Sequence, residues 1–180
     1  MLKIAITGNI ASGKSTVEKF IEELGYKVFD TDKIAHEILE NSEDIRNLFG
    51  TLDRKEIAKI VFNDNEKLKL LESIIHPKVK AKIEEIFDLD LDIVFISVPQ
   101  LFETGFNELF DKIIYITADE NIRKERLMKR NSLSEEEALK RIKAQSESKK
   151  KEFSDFTIEN NGNIRELKLF ITQIMNSLLH

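Results

Sequence analysis

Gly8-Asn9-Ile10-Ala11-Ser12-Gly13-Lys14-Ser15 has the form G-x-x-x-x-G-K-[ST], with Thr16 directly after it. These residue types at this spacing suit the cradling of a polyphosphate. Glycines let backbone N–H groups turn inward, and a helix N-terminus adds roughly half a positive charge at the same place. Lys14 would reach the β- and γ-phosphates, and the Ser15 hydroxyl would ligate Mg²⁺. The setting agrees. Apolar Leu2, Ile4, Ala5 and Ile6 lead in as a strand. A helical pattern then opens at Lys14, carries Val17, Phe20, Ile21 and Leu24, and stops at Gly25 as a C-cap. A glycine turn beside a surface lysine is the competing reading, and the strand before and helix after weigh against it. Gly8, Ala11, Ser12, Gly13, Lys14, Ser15 and Thr16 are therefore the expected contacts for a nucleoside triphosphate.

Asp30 and Asp32 follow Phe29 at the end of a second strand-like segment. Residues two apart in extended backbone share a face, and ligands in open α/β sheets lie beyond the carboxyl ends of strands. Such a pair suits a base that accepts a hydroxyl proton, or a holder of Mg²⁺-bound water. Alternatively, Asp32 N-caps the helix carrying Ile34, Ala35, Ile38 and Leu39. Val98-Pro99-Gln100-Leu101-Phe102-Glu103 closes a third strand, with Pro99 ending the ladder. Glu103 reads either as a contact to substrate or magnesium-bound water, or as a solvated turn residue.

Arg123, Arg126 and Arg130 form a stripe on one helical face, and Arg141 lies on the next helix, which a Ser134/Glu137 capping box opens. A helical lid bearing arginines can close over a triphosphate and exclude water. Lys149–Lys151 reads as a solvated charge run. His76-Pro77 follows Leu70, Leu71, Ile74 and Ile75 as a histidine at a helix end, a setting that is more often structural. No His/Asp/Glu grouping has metal-ligand spacing, so Mg²⁺ accompanying the nucleotide is the one metal expected.

Five strand-like segments must position these groups: Leu2–Thr7, Lys27–Asp30, Ile93–Val98, Lys112–Thr117 and a weaker one near Phe156–Glu159. The third and fourth are continuous apolar runs, as in parallel sheets covered on both faces. Their alternation with helical stretches predicts a doubly wound α/β fold. Residues 33–87 read as a helical insertion, 120–151 as a charged helical segment, and 164–179 as a closing amphipathic helix.

At 180 residues the chain can bury about 70% of its unfolded surface in one core. Its 41% apolar and 34% charged residues are ordinary for a globular domain. A net charge of −5 argues against a nucleic-acid partner. No apolar run approaches the ~20 residues of a membrane span, and Leu2 to Ile6 is too short for a signal peptide. Without cysteine there is no disulfide framework or thiolate site. A cytoplasmic protein is expected.

The chain resembles the dephospho-coenzyme A kinases over nearly its whole length. The resemblance rests on Thr7 through Thr16 and Val28-Phe29-Asp30-Thr31-Asp32, then on Ile75-His76-Pro77 and Val98 through Glu103. Arg141-Ile142-Lys143-Ala144-Gln145 and Ile158-Glu159-Asn160-Asn161-Gly162 complete it. It implies the P-loop NTPase fold: a five-stranded parallel sheet with helices on both faces, a helical substrate-binding insertion and a helical lid. The core would comprise 1–32, 88–119 and 152–180, the insertion 33–87 and the lid 120–151. The implied reaction moves the γ-phosphoryl of ATP onto the ribose 3′-hydroxyl of dephospho-coenzyme A, the last step of coenzyme A synthesis. By the same resemblance Asp32 is the base with Asp30 beside it, and Arg141 is a lid arginine that contacts phosphate. His76 belongs to the substrate domain, and Lys14, Arg141 and Asp32 form the catalytic set. Asp30, His76, Pro99 and Glu103 would face the acceptor.

Asn9 and Ala11 stand where that family usually has glycine, so the loop is expected to avoid positive φ at both, or to place only Asn9 there. Thr31 and Gln100 replace an alanine and a leucine, and a slightly short chain is expected to trim the C-terminal helix. Another kinase of the superfamily, acting on a nucleoside or nucleoside monophosphate, is the nearest rival. A nucleotide-dependent switch is the rival of another class. Guanine switches carry Asn-Lys-x-Asp after an apolar strand, whereas here the fourth strand leads into Thr117-Ala118-Asp119-Glu120.

Overall fold

The structure is a computed structural model and describes residues 1–62, 64–145 and 148–179. Asn63 of the expected insertion, Ser146 and Glu147 of the expected lid, and His180 lie outside the described residues, as do the side chains of Ser148, Lys149 and Leu179. In chain order the elements are β1 (Leu2–Gly8), α1 (Lys14–Glu23), β2 (Val28–Asp30), α2 (Thr31–Glu40), α3 (Glu43–Phe49), α4 (Arg54–Phe62) and α5 (Asn65–Phe87). Then follow β3 (Ile93–Ser97), a short 3₁₀ turn (Phe106–Leu109), β4 (Lys112–Thr117), α6 (Glu120–Asn131), α7 (Glu135–Lys143), α8 (Ser148–Glu152), β5 (Phe156–Glu159) and α9 (Ile164–Leu179).

The chain divides into two compact units, Met1–Phe29 with Leu91–His180, and Asp30–Asp90. The first is built on a five-stranded parallel sheet in the order β2-β3-β1-β4-β5. Register places Ile4 beside Phe95 and Ile6 beside Ile114, so these side chains share a face. They pack with Val17 and Ile21 of α1 and Leu167, Ile171, Ile174 and Met175 of α9. Ala5, Val94, Ile96, Ile113 and Tyr115 alternate with them on the other face and are also buried. Burial on both faces is why β3 and β4 read as unbroken apolar runs. Parallel neighbours on both sides of β1 send chain connections away in opposite directions, which leaves a crevice beyond its carboxyl end. The phosphate loop starts there.

The second unit has its own core: Leu39, Ile45, Ile57 and Leu71, flanked by Phe49, Val61, Ile74 and Ile75. Asp30 caps α2, its Oδ1 accepting the Asp32 N–H at 2.9 Å. The cap is therefore Asp30, and Asp32 sits exposed in the first helical turn. His76-Pro77 does not end a helix as expected, because Pro77 lies inside the 23-residue α5. Proline there removes the bond to the carbonyl four residues back and crowds that carbonyl with its ring. Buried Leu71 before it and Val79 and Ile83 after it anchor the helix on either side.

Candidate active site

The phosphate loop gains its shape from what holds its carbonyls. Arg126 Nη1 donates to the Ala11 and Ser12 carbonyls, each at 3.2 Å, while Nη2 donates to the Asn160 carbonyl at 3.0 Å. Asn160 Nδ2 donates to the Ser12 carbonyl at 2.9 Å. These bonds fix the carbonyls of residues 11 and 12, and the Ser12 N–H donates to the Asn9 carbonyl at 3.1 Å. Gly13, the N-cap of α1, supplies no side-chain hydrogen bond to the helix. The first N–H groups of that 10-residue helix thus keep an unfilled demand for an acceptor. Thr7 Oγ1, Ser12 Oγ and the Asn9 carboxamide are buried here without hydrogen-bond partners among the described residues, which concentrates polar capacity at the loop.

Ala11 corrects an expectation: its φ is +59°, in the left-handed region. That conformation costs roughly 1–2 kcal/mol for a residue with a Cβ. It also presents the Ala11 carbonyl to Arg126, so the charge-assisted bond offsets the strain. Asn9 has no positive φ.

Lys14 Nζ donates to Ser97 Oγ at the end of β3 and to Glu18 Oε1, 2.7 Å away on the next turn of α1. Both side chains of the Lys14–Glu18 pair are largely shielded, at 19% and 15% exposure, so the ammonium is held in one place. A cavity of about 760 Å³ opens over the loop, lined by Gly8 through Thr16 and by Pro99, Arg126, Lys129, Arg130, Gln145 and Asn160. Cations rim it on the α6 side, as an anionic ligand requires.

Gly13 is the tightest point. Its φ is +88°, and a Cβ built there would stand 2.1 Å from Asn160 Nδ2. Gly13→Ala must therefore adopt a strained backbone and displace the amide that holds the Ser12 carbonyl. Together these cost about 2–3 kcal/mol. ATP affinity measured by titration calorimetry is expected to fall by roughly thirty- to a hundred-and-fiftyfold; an unchanged Kd would contradict this account of the loop.

Of the arginine stripe, Arg126 grips the loop. Arg123 is 2% exposed and donates from Nε to the Ala118 carbonyl, so it is structural, and Arg130 lies on the cavity rim. Arg141 is exposed on α7 and does not line the cavity. The Ser134/Glu137 capping box is formed as expected, with the Ser134 N–H and hydroxyl holding the Glu137 carboxyl below its ordinary pKa. Lys124 of α6 pairs with Glu135 of α7 at 2.6 Å, a bond that raises the lysine pKa and lowers that of the glutamate. Glu103 forms an ion pair with Lys150, and that lysine is buried, contrary to the solvated reading of 149–151. Asp30, Asp32 and His76 belong to the second unit and are placed as described above.

Sequence reasoning missed three supports of the loop. Arg126 was visible only as one of a stripe. Asn160 and Gln145, whose Oε1 accepts the Ile10 N–H at 2.8 Å, were visible only as parts of longer motifs.

A family model for dephospho-CoA kinase matches residues 2–166. A dephospho-CoA kinase of Oceanobacillus iheyensis is 39% identical, over 97% of this chain and 96% of that protein. Among solved structures, a protein from Thermus thermophilus superposes with a TM-score of 0.86 at 36% identity, over 98% of this chain and 97% of its own. The dephospho-CoA kinase of Campylobacter jejuni gives 0.76 at 32% identity, over 98% and 96%. The family model over residues 2–166 and relatives matched over nearly the whole chain show where it belongs: the chain is a member of the dephospho-CoA kinase family.

Proposed function

We propose that the loop from Gly8 to Thr16 holds the phosphates of ATP while residues 33–87 hold the acceptor and 120–151 close over both. The chain is a kinase of the last step of coenzyme A synthesis, which phosphorylates the ribose 3′-hydroxyl of dephospho-coenzyme A. The observation that carries the site reading is the loop itself: carbonyls gripped by Arg126 and Asn160, with Lys14 fixed at the start of α1.

In the proposed reaction Asp32 takes the proton of the 3′-hydroxyl as that oxygen attacks the γ-phosphorus. The bond from the γ-phosphorus to the bridging oxygen breaks, and ADP leaves. Asp30, His76 and Pro99 are the proposed contacts to the acceptor. Lys14 neutralises charge on the transferring group, and Arg141 joins it from the lid, which suits a transition state stabilised mainly by positive charge.

Ser15 fits Mg²⁺. Its exposed hydroxyl is a hard oxygen donor in the first turn of α1, and Mg²⁺ prefers one or two protein oxygens with phosphate and water completing its shell. No group of three or more His, Cys, Asp or Glu among the described residues could hold a metal ion. An ion held at Ser15 would supply positive charge to the nucleotide phosphates.

No helix among the described residues is long and apolar enough to cross a membrane; the proposed setting is the cytoplasm, without a nucleic-acid partner. ADP release measured against a panel of acceptors tests the substrate. Dephospho-coenzyme A is expected to support turnover at least a hundredfold faster than any nucleoside or nucleoside monophosphate. Equal rates with a nucleoside monophosphate, or ADP release independent of acceptor, would overturn the assignment.

A further inference from the structure

Gln145, Lys150 and Asn160 each touch one of the catalytic loops. Gln145 Oε1 accepts the Ile10 N–H at 2.8 Å, and Asn160 Nδ2 reaches the Ser12 carbonyl at 2.9 Å. Between them Lys150 of α8 brings Nζ to 3.1 Å from Glu103 Oε1. Phe153 meets Phe102 beside this pair, with ring centroids 6.4 Å apart.

The ion pair is lopsided. The Lys150 side chain is 4% exposed and that of Glu103 is 53% exposed. A nearly buried ammonium demands a partner, whereas a half-exposed carboxylate is well served by water. Stability alone does not favour putting a lysine there.

What the pair does hold is a compact loop. The Val98 N–H donates to the Ile6 carbonyl at 2.8 Å, Thr104 N–H to Gln100 at 3.0 Å and Phe106 N–H to Leu101 at 3.1 Å, and Leu101 is fully buried. A segment so bonded moves as one piece. It starts next to Ser97, whose hydroxyl receives a hydrogen bond from Lys14, and it carries Pro99 into the cavity wall.

We infer that Lys150 is a positioning residue for phosphoryl transfer: its ion pair with Glu103 clasps α8 to the loop after β3. The clasp keeps Ser97 and Lys14 in register with the phosphate loop that Gln145 and Asn160 hold. Glu103 then acts through Lys150 and is not a ligand of substrate or magnesium. This rests on the kinase reading above.

A kinetic and thermal double-mutant cycle on the full chain tests it, using Lys150→Met, which keeps the apolar stem, Glu103→Gln, the double variant and Lys150→Arg. Each single change is expected to lower kcat roughly tenfold with both KM values within about twofold, because only transition-state positioning is lost. The double variant should be no slower than the slower single variant, and Lys150→Arg should recover most of kcat. Without substrates, Glu103→Gln should lower Tm more than Lys150→Met, since it strands the buried ammonium, and the two Tm changes should not add. This melting cycle tests the clasp even if dephospho-coenzyme A proved not to be the acceptor. Multiplying kcat losses or additive Tm changes would overturn the proposal. So would a normal Lys150→Met beside an inactive Glu103→Gln, which would make Glu103 a direct ligand.

Discussion

Lys14→Ala is expected to lower kcat with ATP and dephospho-coenzyme A by about a thousandfold or more, roughly 4 kcal/mol of transition-state stabilisation. The size follows from placement. Ser97 and Glu18 hold the ammonium at the mouth of α1, so no reorganisation is needed as charge develops on the transferring group. Little of the fold depends on it. The Lys14–Glu18 pair is an i,i+4 contact worth a few tenths of a kcal/mol, and alanine is well suited to a first helical turn. Thermal melting should therefore move by only a degree or two while turnover collapses. Arginine is a poor substitute, because its planar fork does not reproduce a compact ammonium point charge. Turnover by Lys14→Ala within tenfold of the parent would show that phosphate is held elsewhere.

Asp32→Asn should be nearly as severe in kcat, about a thousandfold, with the KM for ATP within twofold. Asparagine keeps the shape and removes the proton acceptor. The helix survives, because Asp30 is its cap and receives the backbone N–H of residue 32, which the substitution leaves in place. Loss of one negative charge from the first turn of α2 costs about 0.3–1 kcal/mol. Asp30→Asn is the informative companion. Asparagine caps helices as well as aspartate does, so any loss of turnover there reports chemistry and not an unravelled α2. A fully active Asp32→Asn beside an inactive Asp30→Asn would move the base to Asp30.

What could be read from the sequence divides along the range of the forces involved. Strand positions came through because alternation and apolar runs report burial directly. β3 spans Ile93–Ser97, β4 Lys112–Thr117 and β5 Phe156–Glu159, all within a residue of expectation. The Ser134 capping box and the closing helix α9 are likewise local signals. The grip on the phosphate loop was not legible, because Arg126, Gln145 and Asn160 lie more than a hundred residues from the backbone atoms they hold. Helical spacing put Arg123 and Arg126 on one face but could not say that one is buried against the Ala118 carbonyl and the other spans three carbonyls. Ala11 at positive φ and the burial of Lys150 escaped for the same reason. In each, a distant partner overrides the local preference of the residue.

The destination of the transferred phosphate is the most direct test of the proposed reaction. The chain should be incubated with Mg²⁺-ATP and dephospho-coenzyme A, and the product mapped by mass spectrometry and phosphorus NMR. Coenzyme A carrying its new phosphate on the ribose 3′-oxygen, formed in step with ADP, is the expected result. A phosphate at any other position, or ADP accumulating with no phosphorylated acceptor, would contradict it.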